Sequence, residues 1–142
     1  MNEEIVKRYS QTNKFGKLLD MQYRLDATGD IIYDVTITEK HLATKTAAHG
    51  GLLAAMMDGV VGVAALEEAS KNGNLVSTVE MKLNFLQPAF LNDRLKGVGK
   101  ILKAGKRIIV VEGKIYNQDN LLLAVGIATM NAYPIEKSDM FK

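Results

Sequence analysis

Between Lys45 and Glu67 the chain carries a single charged side chain, Asp58, in a run dominated by Gly, Leu, Ala, Met and Val. The stretch Gly50 to Ser70 reads as one long helix, and a helix apolar nearly all round must be buried nearly all round. Its small residues Ala54, Ala55, Gly59, Gly62, Ala64 and Ala65 let other backbone approach closely. Gly50, Gly51 and Gly59 weaken it as an isolated helix, each by about 1 kcal/mol relative to Ala in a helix interior. Tertiary burial has to offset that loss, so the remaining sequence must supply a cover. Asn72-Gly73-Asn74 ends the helix, with Gly73 a natural C-terminal stop.

The remaining sequence reads mostly as strands. Asn2 to Leu19 suggests a helix with an apolar face of Ile5, Tyr9, Phe15, Leu18 and Leu19. Met21 to Leu25 and Ile31 to Thr38 alternate around the turn-forming Asp26-Ala-Thr-Gly-Asp30, as a hairpin would. Glu39 to His49 has no period and reads as a loop. After the helix come four strand-like stretches: Leu75 to Leu86, Arg94 to Leu102, Arg107 to Tyr116 and Leu121 to Tyr133. In the first of these, Val79, Met81, Leu83 and Phe85 fall on one side and Thr78, Glu80, Lys82 and Asn84 on the other. Pro134 to Lys142 reads as a frayed tail. Helix, two strands, buried helix, four strands is not a βαβ alternation. It points to α+β, with an antiparallel sheet wrapped around a central helix. The 142 residues suit one domain, 1–142, with no linker or repeat.

Composition excludes several functions. Eighteen basic against sixteen acidic residues give a net charge of +2, too little to argue for nucleic-acid binding. The absence of Cys removes disulfides, thiolate metal sites and a Cys nucleophile, and fits a cytoplasmic setting. Met1 to Ser10 has no apolar core of a secretory signal. The run from Gly50 to Leu66, interrupted by Asp58 and followed by Glu67 and Glu68, reads as too short and too acidic to cross a membrane. His41 and His49 lie eight apart without further His or Cys, so no metal is expected. Gly97-Val-Gly99 followed by Gly105 has neither the spacing nor the context of a phosphate-binding loop. Ser77 lacks a nucleophile elbow.

Two features do not fit a plain core helix. His49-Gly50-Gly51 stands at its start, where the first N–H groups lack partners and the macrodipole adds about half a positive charge. Such an end suits an anion or a developing oxyanion; equally, the glycines permit a sharp turn into the helix. The second feature is Asp58. A lone carboxylate in a buried helix is costly unless paired or functional, and desolvation would raise its pKa toward that of a general base. The bland alternative is an Asp on a narrow solvated stripe. Asp58 lies roughly 12 Å along the helix axis from Gly50, too far to act on one substrate atom with it. A second subunit presenting its own Asp58 to this Gly50 would close the gap.

At this point the chain resembles a family. His49-Gly50-Gly51 followed by Asp58 on the same helix is similar to the hotdog thioesterases of the PaaI/THEM type. So are Val76-Ser-Thr-Val-Glu-Met-Lys-Leu-Asn-Phe-Leu-Gln-Pro-Ala89 and the hairpin Gly99 to Tyr116. The resemblance implies a hotdog fold and hydrolysis of acyl-CoA thioesters by a homodimer or dimer of dimers. It needs no cofactor, coenzyme A being part of the substrate. The Gly50 N–H would polarise the thioester carbonyl, with Gly51 beside it. Asp58 of the facing subunit would activate water or attack directly. A Ser or Thr hydroxyl often assists at the position of Thr78, and His49 would orient the substrate or stabilise the turn. Lys103, Lys106 and Arg107, at a turn between strands, would bind the CoA phosphates; a solvated hairpin tip is the other reading. The chain departs from the pattern at Ala43 and Thr46, where many relatives carry Asn and Gly. His41 and Thr44 are the nearby groups that could stand in for the Asn. A silent acyl-CoA or pantetheine-binding protein is the alternative that Ala43 favours.

Overall fold

The computed structural model describes residues 3–140 and 142. Two short helices open the chain, α1 (Glu3–Thr12) and α2 (Lys14–Leu18), followed by strands β1 (Gln22–Leu25) and β2 (Ile31–Thr36). The long helix α3 (Gly50–Ser70) comes next, and then strands β3 (Asn74–Phe85), β4 (Arg94–Ala104), β5 (Ile108–Tyr116) and β6 (Leu122–Pro134). The six strands form one sheet in the order β1-β2-β4-β5-β6-β3, with every neighbouring pair antiparallel. The sheet wraps α3, as the α+β hotdog expectation requires.

Glycines in the sheet make the close wrap possible. Gly99, Gly113 and Gly126 stand in register across β4, β5 and β6. A Cβ at Gly99 would come within 2.6 Å of the Ala64 Cβ, and one at Gly113 within 2.4 Å of the Met57 sulfur. Gly97 faces Val60 in the same way, at 2.2 Å. The Gly97-Val-Gly99 pair is therefore a bed for the helix. The core above this bed is built from Met56, Met57, Val60, Val61 and Val63 of α3 against Val35, Leu95, Val111, Ile115 and Ala128 of the sheet.

Three expectations need correction. The N-terminal helix is broken at Asn13, whose side chain accepts a 3.0 Å hydrogen bond from the Gly16 N–H and starts α2. The break resets the helical phase, so Phe15 and Leu18 are exposed rather than core. The tail is not frayed along its length. Ile135–Lys137 forms a 3-10 turn, and Ile135 and Met140 pack on a small second cluster of Ile5, Val6, Leu66 and Leu75. Finally, Gly50–Ser70 is long and apolar enough to cross a membrane by length and composition alone. Its packing decides the matter, because twelve of its residues are buried under the sheet and α1.

Candidate active site

The start of α3 is fixed by two histidines. His41, almost fully buried, sits in a 3-10 turn before the helix. Its Nδ1 accepts from the Thr38 N–H at 2.9 Å, so its Nε2 carries the proton and donates to the Leu19 carbonyl at 2.8 Å. Its own carbonyl accepts from the His49 N–H at 2.8 Å. His41 thus ties α2, the turn and the helix start into one unit. With both ring nitrogens engaged, it cannot replace the missing Asn beside a substrate. The Thr44 hydroxyl oxygen is likewise taken up locally, accepting from the Ala47 N–H at 2.9 Å.

His49 is the N-cap of α3, and its Nδ1 accepts from the Gly51 N–H at 2.7 Å. A Cβ at Gly51 would lie 2.8 Å from that Nδ1, so the cap requires glycine there. While the cap is formed, the Gly51 amide is not available to a ligand. The Gly50 N–H donates to nothing among the described residues and is exposed. A Cβ on Gly50 would meet only the Phe85 ring, at 3.7 Å. The helix start therefore offers one unengaged amide beside an exposed aromatic ring.

Asp58 lies two turns further on. It is not enclosed in the single chain, as its place in an apolar helix suggested. It is exposed, like Gly51, on a stripe of α3 whose other members, Ala54, Ala55 and Gly62, are half-buried, at three- and four-residue spacing. Its Oδ1 accepts a 2.7 Å hydrogen bond from the Thr78 hydroxyl. Burial raises the pKa of Tyr9 on α1, and the negative charge of Asp58 raises it further. Tyr33 is pushed up to about 12, first by burial, then by Tyr9, and least by Asp58, with an Asn13 hydrogen bond acting the other way. Gly59 is needed beside Asp58 because a Cβ there would come within 2.4 Å of the Tyr33 ring.

A β-bulge aims Thr78 at Asp58. The pairing of β3 with β6 shifts register between Thr78 and Glu80, which leaves Val79 as an extra residue. Thr78 pairs with Met130, and Met81 with Ala128, both of them buried core positions. Thr78 and Met81 thus share the helix-facing side. The sequence alternation put Thr78 opposite Met81 and grouped Val79 with it. One inserted residue reverses that assignment and turns Val79 outward, 62% exposed.

The expected residues do not all converge within one chain. Asp58 and Thr78 line a cleft of about 630 Å³ between α1, α3, β3 and the C-terminal segment. His49 and Gly50 stand apart at the helix start. The turn carrying Lys103, Lys106 and Arg107 is exposed and packs near Glu68, Ala69 and Asn72, at the opposite end of α3. Among the described residues no three His, Asp or Glu side chains gather as metal ligands. Sequence reasoning missed the roles of Tyr9 and His41. The aromatic at position 9 was visible only as part of an apolar face.

Residues 46–124, more than half of the chain, match the sequence profile of the thioesterase superfamily. The chain belongs to that superfamily. A Saccharolobus solfataricus protein whose name assigns it provisionally to the esterases is 30% identical over 131 residues, covering 89% of this chain and 86% of its own. Human acyl-coenzyme A thioesterase 13 is 24% identical over 116 residues, with 81% of each chain covered. Among solved structures, the Escherichia coli PaaI protein from the phenylacetic acid degradation operon superposes with a TM-score of 0.82 at 19% identity, covering 92% of each chain. A Bacillus halodurans protein solved with CoA gives 0.78 at 20% identity, covering 92% of this chain and 87% of its own. The resemblance to PaaI-type hotdog thioesterases is borne out, and so is the thioesterase fold.

Proposed function

We propose that this superfamily member hydrolyses acyl-CoA thioesters to the free acid and CoA, in a site completed by a second copy of the chain. The observation that carries the reading is the Thr78–Asp58 hydrogen bond at the mouth of the cleft. One carboxylate oxygen is held by the hydroxyl, which leaves the other to act on a substrate. The relative named as an acyl-CoA thioesterase and the related fold solved with CoA support the substrate class.

The second copy follows from what one chain leaves open. β3 is a twelve-residue strand at the edge of the sheet, with Val79 and Phe85 more than half exposed. A long edge strand with one row of unpaired backbone groups invites pairing. A partner lying antiparallel along it would cover the stripe around Asp58 and bring its own Gly50 N–H opposite that carboxylate. The basic turn near Ala69 lies roughly 16 Å along α3 from Asp58. An extended pantetheine arm spans a comparable length, so Lys103, Lys106 and Arg107 would meet the CoA phosphates there.

In this arrangement the Gly50 N–H of the partner subunit stabilises the oxygen of the tetrahedral intermediate. Asp58 takes a proton from water as the water oxygen bonds to the carbonyl carbon. The C–S bond then breaks, and the CoA sulfur leaves with that proton. In the nucleophilic variant the Asp58 oxygen bonds to the carbonyl carbon first and the C–S bond breaks, releasing CoA thiolate; water then adds to the Asp58 carbonyl carbon of the anhydride, which frees the acid, and its proton goes to the thiolate. Single turnover in oxygen-18 water separates the two routes, because only the second leaves label in Asp58.

The deciding test is thiol release by wild type and Asp58→Asn. Loss of a general base costs about 10²–10⁴-fold. A wild type inactive toward short, long and aromatic acyl-CoAs would sink the hydrolase reading, and saturable binding without thiol release would replace it with a carrier. A fully active monomer in solution would refute the shared site.

A further inference from the structure

Two cavities meet at one side chain. Tyr9 lines the cleft of about 630 Å³ that opens on Asp58 and Thr78. It also lines a second, open cleft of about 370 Å³, bounded by Met21, Tyr33 and Val63 together with the polar Asn13, Lys17 and Asp20. The first cleft carries an aliphatic strip of Leu66, Leu75, Val76 and Met130 among polar residues that include Ser77, Ser138 and Asp139. Its volume falls in the range of about 300–1,000 Å³ usual for small-molecule sites. The tyrosine ring therefore stands where a chain leaving Asp58 through the first cleft would run into the second.

We propose that Tyr9 is the specificity-determining residue that sets how long an acyl group the site accepts. The acyl tail lies along the aliphatic strip, and its end stops against the Tyr9 ring. The inference rests on the thioesterase reading above for its ligand, and it adds the wall that measures that ligand.

Three observations fit a measuring wall. The ring is anchored: Ile5 and Val6, one turn before it on α1, are buried against Leu66 and Leu75. The ring lines the same cleft as the reacting carboxylate, and burial first, then the Asp58 charge, raise its hydroxyl's pKa. Gly62, one turn beyond Asp58, also lines this cleft, and a Cβ built there meets no atom within 4 Å. The cleft can therefore be narrowed from α3 as well as lengthened from α1.

The experiment compares wild type, Tyr9→Ala, Tyr9→Phe and Gly62→Val across the series acetyl- to palmitoyl-CoA. It reads kcat/KM for the thioesters and Kd for the non-hydrolysable S-alkyl-CoA thioethers of the same lengths. Tyr9→Ala joins the cavities, and the optimum moves to longer chains, with a gain of about fourfold for each methylene newly buried. Tyr9→Phe keeps the ring and keeps the wild-type cut-off. Gly62→Val moves the optimum to shorter chains. Because Ile5 and Val6 still hold α1, circular dichroism of Tyr9→Ala remains that of the wild type.

A length profile that Tyr9→Ala and Gly62→Val both leave in place, whether its rates scale equally at all lengths or not, overturns the proposal. It would leave hydrolysis itself intact. A wild type without turnover, but with thioether affinities that shift in opposite directions in the two variants, removes the hydrolase reading and supports the wall. Affinities that are flat with chain length in wild type and both variants overturn the wall whatever the turnover.

Discussion

Substituting Gly99 with Ala puts a methyl group where α3 rests on the sheet. The new Cβ would lie 2.6 Å from the Ala64 Cβ and 3.1 Å from the Val60 carbonyl oxygen. Carbon atoms settle at about 3.5–4.0 Å, so the helix must rise by about 1 Å. Neither neighbour can rotate away, one being a Cβ and the other backbone. Overpacking of this kind costs about 1–3 kcal/mol. Losing a glycine returns about 0.4–1 kcal/mol by restricting the unfolded chain, which leaves a net loss of about 1–2 kcal/mol. With an unfolding entropy of about 2.1 cal/mol/K per residue, that lowers Tm by about 3–7 °C for a chain of this length. Denaturant and thermal unfolding of Gly99→Ala, Ala64→Gly and the double variant provide the assay. Ala64→Gly alone costs about 1 kcal/mol of helix propensity. In the Gly99→Ala background it relieves the contact, so the two changes must couple favourably. Strict additivity, or a Gly99→Ala variant as stable as the wild type, would refute the account of how the sheet seats the helix.

Other outcomes follow from the same geometry. Thr78→Val removes the donor to Asp58 Oδ1; kcat/KM in thiol release falls by about tenfold or more, as expected for a hydrogen bond to a charged group, while the unfolding midpoint stays within about 0.5 kcal/mol. His49→Ala removes the N-cap of α3 and lowers stability by about 0.5–2 kcal/mol, with faster amide exchange at Gly51 as the specific signature. Burial holds the folded-state pKa of Tyr9 and Tyr33 above 10, that of Tyr33 at about 12. The native state therefore binds more protons than the unfolded state above pH 10, so stability falls as pH rises from about 10 to 12. Ultraviolet titration with parallel unfolding curves checks this, and Tyr33→Phe flattens the slope.

The fold was legible because its largest constraint is compositional. A long helix with one charge needs a cover, and the alternating stretches after Asn74 supply four strands for it. What sequence patterning misread were the places where a single residue changes a phase. Asn13 ends one helix and starts another through its own side chain, so the apolar spacing from Ile5 to Leu19 runs across two helices and Phe15 falls outside the core. Val79 inserts one residue in β3, and the period-two pattern on either side then refers to opposite faces. Neither residue departs from the local pattern in type, so composition gave no signal.

The site was legible in its residues and not in its enclosure. Asp58 stood out because a carboxylate breaks an apolar run, and the inference from that contrast was burial. The single chain instead leaves it exposed beside glycine and alanine, with one carboxylate oxygen held by the Thr78 hydroxyl of β3. An apolar helix of this length retains an uncovered polar stripe only if something else covers it, or if its exposure is tolerated at the cost of the flanking apolar surface. The second case conflicts with the edge strand beside it, where Phe85 is more than half exposed against Gly50 at the start of the helix. One covering surface would account for both, and in the proposed two-fold pair the same sequence would supply it. Under the proposed pairing, the separation of Asp58 from Gly50 along α3 and the bare edge of β3 are one feature, the half of a site that a second protomer would bring.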